Sequence, residues 1–195
     1  MRAATIFTAI AATLAVAFTA SSCGDSEYEY STESCYLVFD NSTHLDPTLQ
    51  SAMNQLSPGV FCRITTSTES GATYFCFESN HGASSKSRAD AVDLRRSIIL
   101  GAYNKSGIIV GYGNLGSPAT LYAYDSQCPN CYAEHGTPSY KMSMTAAGHA
   151  VCASCKREYD MNNGGIVAKG DQGKKLMRYR AVSTGTLGVL TVSSR

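Results

Sequence analysis

Four cysteines carry the clearest chemistry in this sequence. Cys128-Pro-Asn-Cys131 and Cys152-Ala-Ser-Cys155 are both C-x-x-C pairs, and twenty residues separate them. Two such pairs can bring four thiolates to the corners of a tetrahedron around one ion, the ligand set of zinc ribbons and single-iron sites. The two-residue gap makes each loop turn tightly enough to aim both sulfurs at one point, with backbone N–H groups left to stabilise thiolate charge. Two other readings stay open. In an exported chain cysteines default to disulfides, so the same residues could form two bridges clamping facing loops. Thiol–disulfide exchange is the third, although it usually places C-x-x-C at a helix N-terminus inside a thioredoxin-like βαβ pattern, and the flanking residues do not show that pattern.

Neighbouring residues bear on that site. His135 and His149 flank the two pairs. Either could replace a thiolate if one cysteine is diverted, or be an ordinary surface histidine. Lys156 and Arg157 follow Cys155 directly and could offset the net negative charge of four thiolates on a divalent ion, or be a solvated pair. Cys62 and Cys76 form a separate candidate disulfide, considered with the hairpin that carries them.

The compartment is read from the N-terminus. Arg2 precedes a run from Ala3 to Phe18 that is apolar apart from three threonines, and Ala20-Ser21-Ser22-Cys23 follows. A short apolar run ending in small residues is a secretory signal. Small residues directly before a cysteine resemble a bacterial lipobox, so residues 1–22 are expected to be removed and Cys23 to be lipidated. Ala20 departs from that pattern, which more often has Leu there. Several acyl chains on one cysteine anchor a protein stably. These features predict an exported protein held to a bacterial membrane, with the outer membrane favoured and its periplasmic or surface side faced.

Composition excludes other classes. The 195 residues are 44% hydrophobic and 16% charged, ordinary for a globular chain of one domain. Without Arg2, the 16 basic residues become 15 against 15 acidic ones, which gives no reason to expect nucleic acid as a partner. Charge is uneven: Gly24–Gln50 holds acids and no Lys or Arg, whereas most charges in Lys141–Arg195 are basic. Residues 23–34 read as an acidic tether, and the basic end as a solvated face or a dock for an acidic partner. No protein or redox partner is named by the sequence. Enzyme motifs are missing too: there is no G-x-S-x-G and no H-E-x-x-H, and the G-x-G-x-x-G at Gly111–Gly116 precedes Ser-Pro rather than a helix.

The elements that must position the cysteines are mostly strands. Cys35–Phe39 suits a buried strand. Asp46 can cap a helix with Pro47 in its first turn, and Leu49, Ala52, Met53 and Leu56 fall on one face before Ser57-Pro58-Gly59 stops it. The stretch 60–77 reads as a hairpin pivoting on Glu69, which sets Cys62 opposite Cys76 and makes them a disulfide candidate. Residues 78–88 read as a loop, and Asp90–Arg96 as one or two helical turns. Ile98–Leu100 and Ile108–Val110 read as the arms of a second hairpin. Ala119–Asp125 is a strand with Leu121 and Ala123 on one face and Tyr122 and Tyr124 on the other. Two final strands turn at Ser183-Thr184-Gly185.

The C-terminal half resembles Rieske-type ferredoxin domains. The matching residues are Tyr124-Asp125 before the first cysteine pair, Tyr159-Asp160, Gly164-Gly165 and Gly170 after the second, and then Leu176 with Tyr179. More closely, the chain is similar to small exported lipoproteins that keep this fold. The resemblance covers about 97–192. It implies a mainly β domain of antiparallel sheets or a sandwich, with a small metal-site subdomain at about 125–170 and one or two short helices. The family holds its [2Fe–2S] cluster with C-x-H and C-x-x-H. Here cysteines stand in place of both histidines, and Gly170-Asp171 replaces the usual Gly-Pro. Electron transfer is therefore not inherited with the fold. A four-cysteine site suits Zn²⁺, a single Fe or an all-thiolate [2Fe–2S] cluster. Zinc is ranked first, since iron–sulfur clusters are harder to install and keep outside the cell. The expected protein is non-catalytic, its metal fastening two loops; iron-based electron transfer and a disulfide-stapled surface binding protein are the alternatives.

Overall fold

The computed structural model describes residues 29–194; the expected signal segment and Cys23 lie outside them. The fold is mainly β, as expected. Strands β1 (Tyr36–Asp40), β2 (Phe61–Glu69), β3 (Ala72–Ser79), β4 (Ser84–Arg88), β5 (Ile108–Tyr112), β6 (Leu121–Asp125), β11 (Arg178–Ser183) and β12 (Val189–Ser193) form one curled antiparallel sheet in the order β1-β12-β11-β6-β5-β2-β3-β4. Strands β7 (Ser143–Met144), β8 (His149–Val151), β9 (Glu158–Asp160) and β10 (Ile166–Lys169) form a second sheet in the order β10-β9-β8-β7. The helices are short: α1 (Asn41–His44), α2 (Pro47–Ala52), α3 (Pro129–His135) and one 3₁₀ turn at Asp93–Arg95.

Alternating side chains give the large sheet two apolar faces. Leu37, Phe39, Ile64, Phe77, Val110, Ala123 and Val192 fill the inside of the curl with Leu49 and Met53 of α2. The ends of the sheet meet there: the Phe39 ring of β1 packs edge-on against Phe75 and Phe77 of β3 at 5.0 and 5.2 Å. Phe61, Ile109 and Tyr124 point the other way and carry a second core shared with the small sheet. The continuous apolar run of β5 thus reflects burial on both faces, and β6 divides its side chains as its alternation predicts.

Several elements depart from the sequence reading. The first hairpin turns at Ser70-Gly71, with Glu69 opposite Ala72. Both turn residues have left-handed φ values of 49° and 79°, the two-residue geometry whose twist matches the strands. The register is therefore shifted by three residues: Cys62 faces Ser79 and Cys76 faces Thr65. That puts the two sulfurs on opposite faces of the hairpin, Cys62 in the core and Cys76 partly exposed, and both are free thiols, as is Cys35. The expected Cys62–Cys76 bridge is not formed.

Residues 84–88, read as loop, are the edge strand β4. Its inward serines contribute hydrogen bonds, so no apolar alternation signals it: Ser85 Oγ donates to Asp46 Oδ1 at 2.9 Å. Ile98–Leu100 does not pair with β5; Ile99 bridges Tyr36 of β1. Helix α2 has the expected cap, with Leu49 N–H donating to Asp46 Oδ1 at 2.9 Å, but ends at Ala52. Asn54 Oδ1 accepts from the Leu56 N–H at 3.0 Å and closes a turn that competes with the helix, leaving Leu56 92% exposed. The tether is also shorter than expected. The Ser31 N–H donates to the Arg178 carbonyl at 2.7 Å, Glu29 pairs with Arg178 at 3.0 Å, and the Tyr30 ring lies under the Arg178 and Arg180 guanidiniums.

One buried carboxylate joins the large sheet to the cysteine region. Asp125, at the end of β6, accepts from the Ala102 N–H, the Gln127 N–H and the Tyr179 hydroxyl, each at 2.7 Å. Gly101 makes this approach possible, since a Cβ there would overlap the carboxylate. Burial raises the Asp125 pKa, and the three donors offset part of that rise. Asp125→Ala leaves all three donors without an acceptor, at about 1–3 kcal/mol each, so we expect a loss of at least about 3 kcal/mol in denaturant unfolding. A loss below about 1 kcal/mol would show that the carboxylate is not the junction described here.

Candidate metal centre

The first cysteine pair opens a helix that the sequence did not signal. Cys128 caps α3, Pro129 occupies its first turn and Cys131 lies one turn on. Seven residues give too short a run for helical periodicity to show. The Cys128 N–H donates to the Tyr140 carbonyl at 2.9 Å, which fixes how the chain leaves β6.

The second pair lies in the turn between β8 and β9. The Cys152 N–H donates to the Arg157 carbonyl and the Lys156 N–H to the Cys152 carbonyl, both at 3.0 Å. Lys156 takes a left-handed φ of 62° to close this turn, a conformation uncommon outside glycine. The result folds the Cys152 and Cys155 side chains back toward α3.

The four sulfurs converge. Cys128 Sγ lies 3.6 Å from Cys155 Sγ, and Cys131 Sγ lies 3.7 Å from Cys152 Sγ. All four are within 4.8 Å of one another. Four thiolates bound at about 2.3 Å around one ion have edges of roughly 3.8 Å, so each short distance crosses between the pairs at the spacing a shared ion requires. A two-iron cluster divides its thiolates between two metal atoms and sets the halves farther apart. Cys128, Cys131 and Cys152 are buried and Cys155 is partly exposed, so the group lies just beneath the surface. His135 stacks on Tyr140, and His149 faces Glu158 at 3.7 Å; neither joins the sulfurs.

Donors surround the group. The Tyr159 hydroxyl lies 3.2 Å from Cys128 Sγ and accepts from Asn130 Nδ2 at 2.9 Å, which leaves its own proton for the sulfur. Asn130 also bonds both ways with the Lys174 backbone at 2.9 Å. Arg157 Nε donates to the Asp171 carbonyl at 2.8 Å. These two side chains hold residues 171–174, the segment following Gly170, against the site. Beneath it Tyr124, Met142, Ala150, Met161 and Leu176 form an apolar floor, and the Tyr124 hydroxyl donates to the Met161 carbonyl at 3.0 Å.

The thiols differ in how readily they ionise. Burial pushes the Cys128 thiol up to about 12, against the opposing effect of the Cys131 N–H and the Tyr159 hydroxyl. Burial also raises Cys131. Cys155 behaves differently: burial raises it, but the Arg157 N–H and guanidinium and the Cys128 and Cys131 thiols outweigh that and bring it down to about 7. Without an ion, one thiolate is accessible near neutral pH and two of its neighbours resist ionisation. A bound divalent cation reverses this and lets all four ionise.

The structure brings together the four cysteines singled out by their spacing and places Arg157 beside Cys155. The sequence reading missed Asn130, the donor behind Tyr159, because an asparagine inside a C-x-x-C loop carries no signal of its own. No protein-family model, curated protein or solved structure matches the chain.

Removing one outer donor should weaken the site without unfolding it. We expect Tyr159→Phe to lower metal affinity by roughly tenfold, the usual cost of losing an outer-shell hydrogen bond, in competition with a chromophoric chelator. An unchanged affinity would show that the hydroxyl does not support the sulfur.

Proposed function

We propose that this chain is an exported lipoprotein, anchored to a bacterial membrane through Cys23, whose four cysteines hold one structural zinc ion. The observation that carries the metal reading is the convergence of four sulfurs, from two loops 20 residues apart, within 4.8 Å of one another. Zinc fits this donor set because it has no redox chemistry and accepts four thiolates in a closed tetrahedron. Its role is to fasten α3 to the β8–β9 turn. The small sheet is too slight to bury a core alone, and a structural zinc can supply much of such a unit's folding energy.

The scaffold belongs to this proposal as well. We read it as a Rieske-like domain in which thiolates replace the histidine ligands. What supports this is a small antiparallel sheet bearing a cysteine turn and packed on a larger one, with Tyr124, Asp125, Leu176 and Tyr179 at the junction. The anchor is supported by the apolar run before Cys23. Among the described residues no helix is long and apolar enough to cross a membrane.

Expression of the full chain in a bacterium with a lipoprotein pathway tests both parts. Cell fractionation should place the protein with the membranes, and the purified protein should be colourless with one zinc per chain by elemental analysis. Visible colour with bound iron would favour electron transfer. Metal-free protein without free thiols at the four positions would favour the disulfide-stapled reading. Recovery in the soluble fraction would overturn the anchor.

A further inference from the structure

A second group of metal-ligating side chains lies at the seam where the ends of the large sheet meet. His44 ends α1, Asp93 begins the 3₁₀ turn, and Asp90 precedes that turn. One ligand atom from each lies within 4.8 Å of the other two. We propose that His44, Asp90 and Asp93 form a site for a divalent transition-metal cation of the zinc class, independent of the cysteine centre.

The side chains are held close to the positions a shared ion would need. His44 Nε2 lies 2.9 Å from Asp93 Oδ2, a direct hydrogen-bonded contact that must open slightly to reach the edge of roughly 3.3 Å between ligands bound to one zinc at about 2.0–2.1 Å. The other ring nitrogen, Nδ1, lies 2.7 Å from Ser87 Oγ. Metal-ligating histidines commonly use their second nitrogen in this way, which fixes both tautomer and ring orientation. The His44 ring is further held by stacking on Phe39 at 4.6 Å. Both carboxylates are fixed by backbone donors: Asp90 Oδ1 accepts from the Val92 and Asp93 N–H groups at 2.7 and 2.9 Å, and Asp93 Oδ2 accepts from the Asp90 N–H at 2.9 Å. Each carboxylate retains a second oxygen to offer.

Access agrees with this assignment. The His44 and Asp93 side chains are 7% and 3% exposed, whereas Asp90 is exposed. An open depression of about 390 Å³ lined by Arg88, Ala89, Asp90, Ala91 and Leu94 adjoins that side. An ion can therefore arrive on the Asp90 side and keep water ligands there. Asp40, Asp90 and Asp93 gather here opposite Arg96, and Arg88 lines the depression. One imidazole with two carboxylates suits borderline divalent ions. On binding, His44 keeps the Nδ1 proton for Ser87 and releases any Nε2 proton to solvent, and the ion takes the place of the direct His44–Asp93 contact.

Equilibrium dialysis of the full-length protein against micromolar zinc, followed by elemental analysis, tests the site by difference. Wild type should retain one more zinc per chain than His44→Gln. Asp90→Asn keeps the acceptor that caps the turn and sits at an exposed position, so it guards against loss of fold; it should weaken retention of that ion by roughly tenfold. Excess magnesium should not displace the ion. Equal zinc content in wild type and both variants, with the fold intact by circular dichroism, would overturn the proposal. Because the reading is a difference between variants, it is the same whether the cysteine centre holds zinc, iron or nothing.

Discussion

Four sulfurs held within 4.8 Å of one another, three of them buried, are the constraint on which the C-terminal half of this protein depends. Thiolates at this spacing repel one another, and burial penalises each negative charge. Thiols avoid the repulsion but leave weak polar groups packed together with little to hold them. A cation at their centre resolves both difficulties. The α3 N-terminus, the left-handed Lys156 turn and the Asn130–Tyr159 hydrogen bond can each be understood as serving that meeting point.

The large sheet supplies what the small one cannot. Its outer face lends Phe61, Ile109 and Tyr124 to the floor of the cysteine centre, while its inner face is a separate core. Arg63 couples the two: from β2 it donates through Nε to Ser126 Oγ at 3.0 Å and through Nη2 to the Met142 carbonyl, and it pairs with Glu78 at 2.9 Å. A cation this buried is tolerated because each edge of its guanidinium has a partner. With the Asp125 junction, it gives the two cysteine loops a fixed platform.

Chemistry and alternation were more legible in the sequence than pairing. The cysteine spacing marked the site, and the face assignment of β6 followed from Leu121–Asp125 alone, because alternation is a local property. The first hairpin was visible, but its register was not. Ser70-Gly71 lacks the Asn or Asp that usually marks a two-residue turn, and the resulting shift of three residues removed the Cys62–Cys76 bridge. Strand β4 was hidden because serines take the inward positions that apolar residues normally hold. Asp90 and Asp93 share one turn, but His44 is brought to them by the curl of the sheet, a long-range event without local signal. The same holds for Arg63, which looks like an ordinary strand arginine until its partners from residues 126 and 142 are in place.

The claim that one ion is held by all four thiolates is tested most directly by X-ray absorption at the metal edge of the purified protein. The account expects a single shell of four sulfurs at about 2.3 Å, with neither nitrogen nor oxygen in the first shell. A mixed shell, a metal–metal scattering path or a chain without metal at this centre would contradict it.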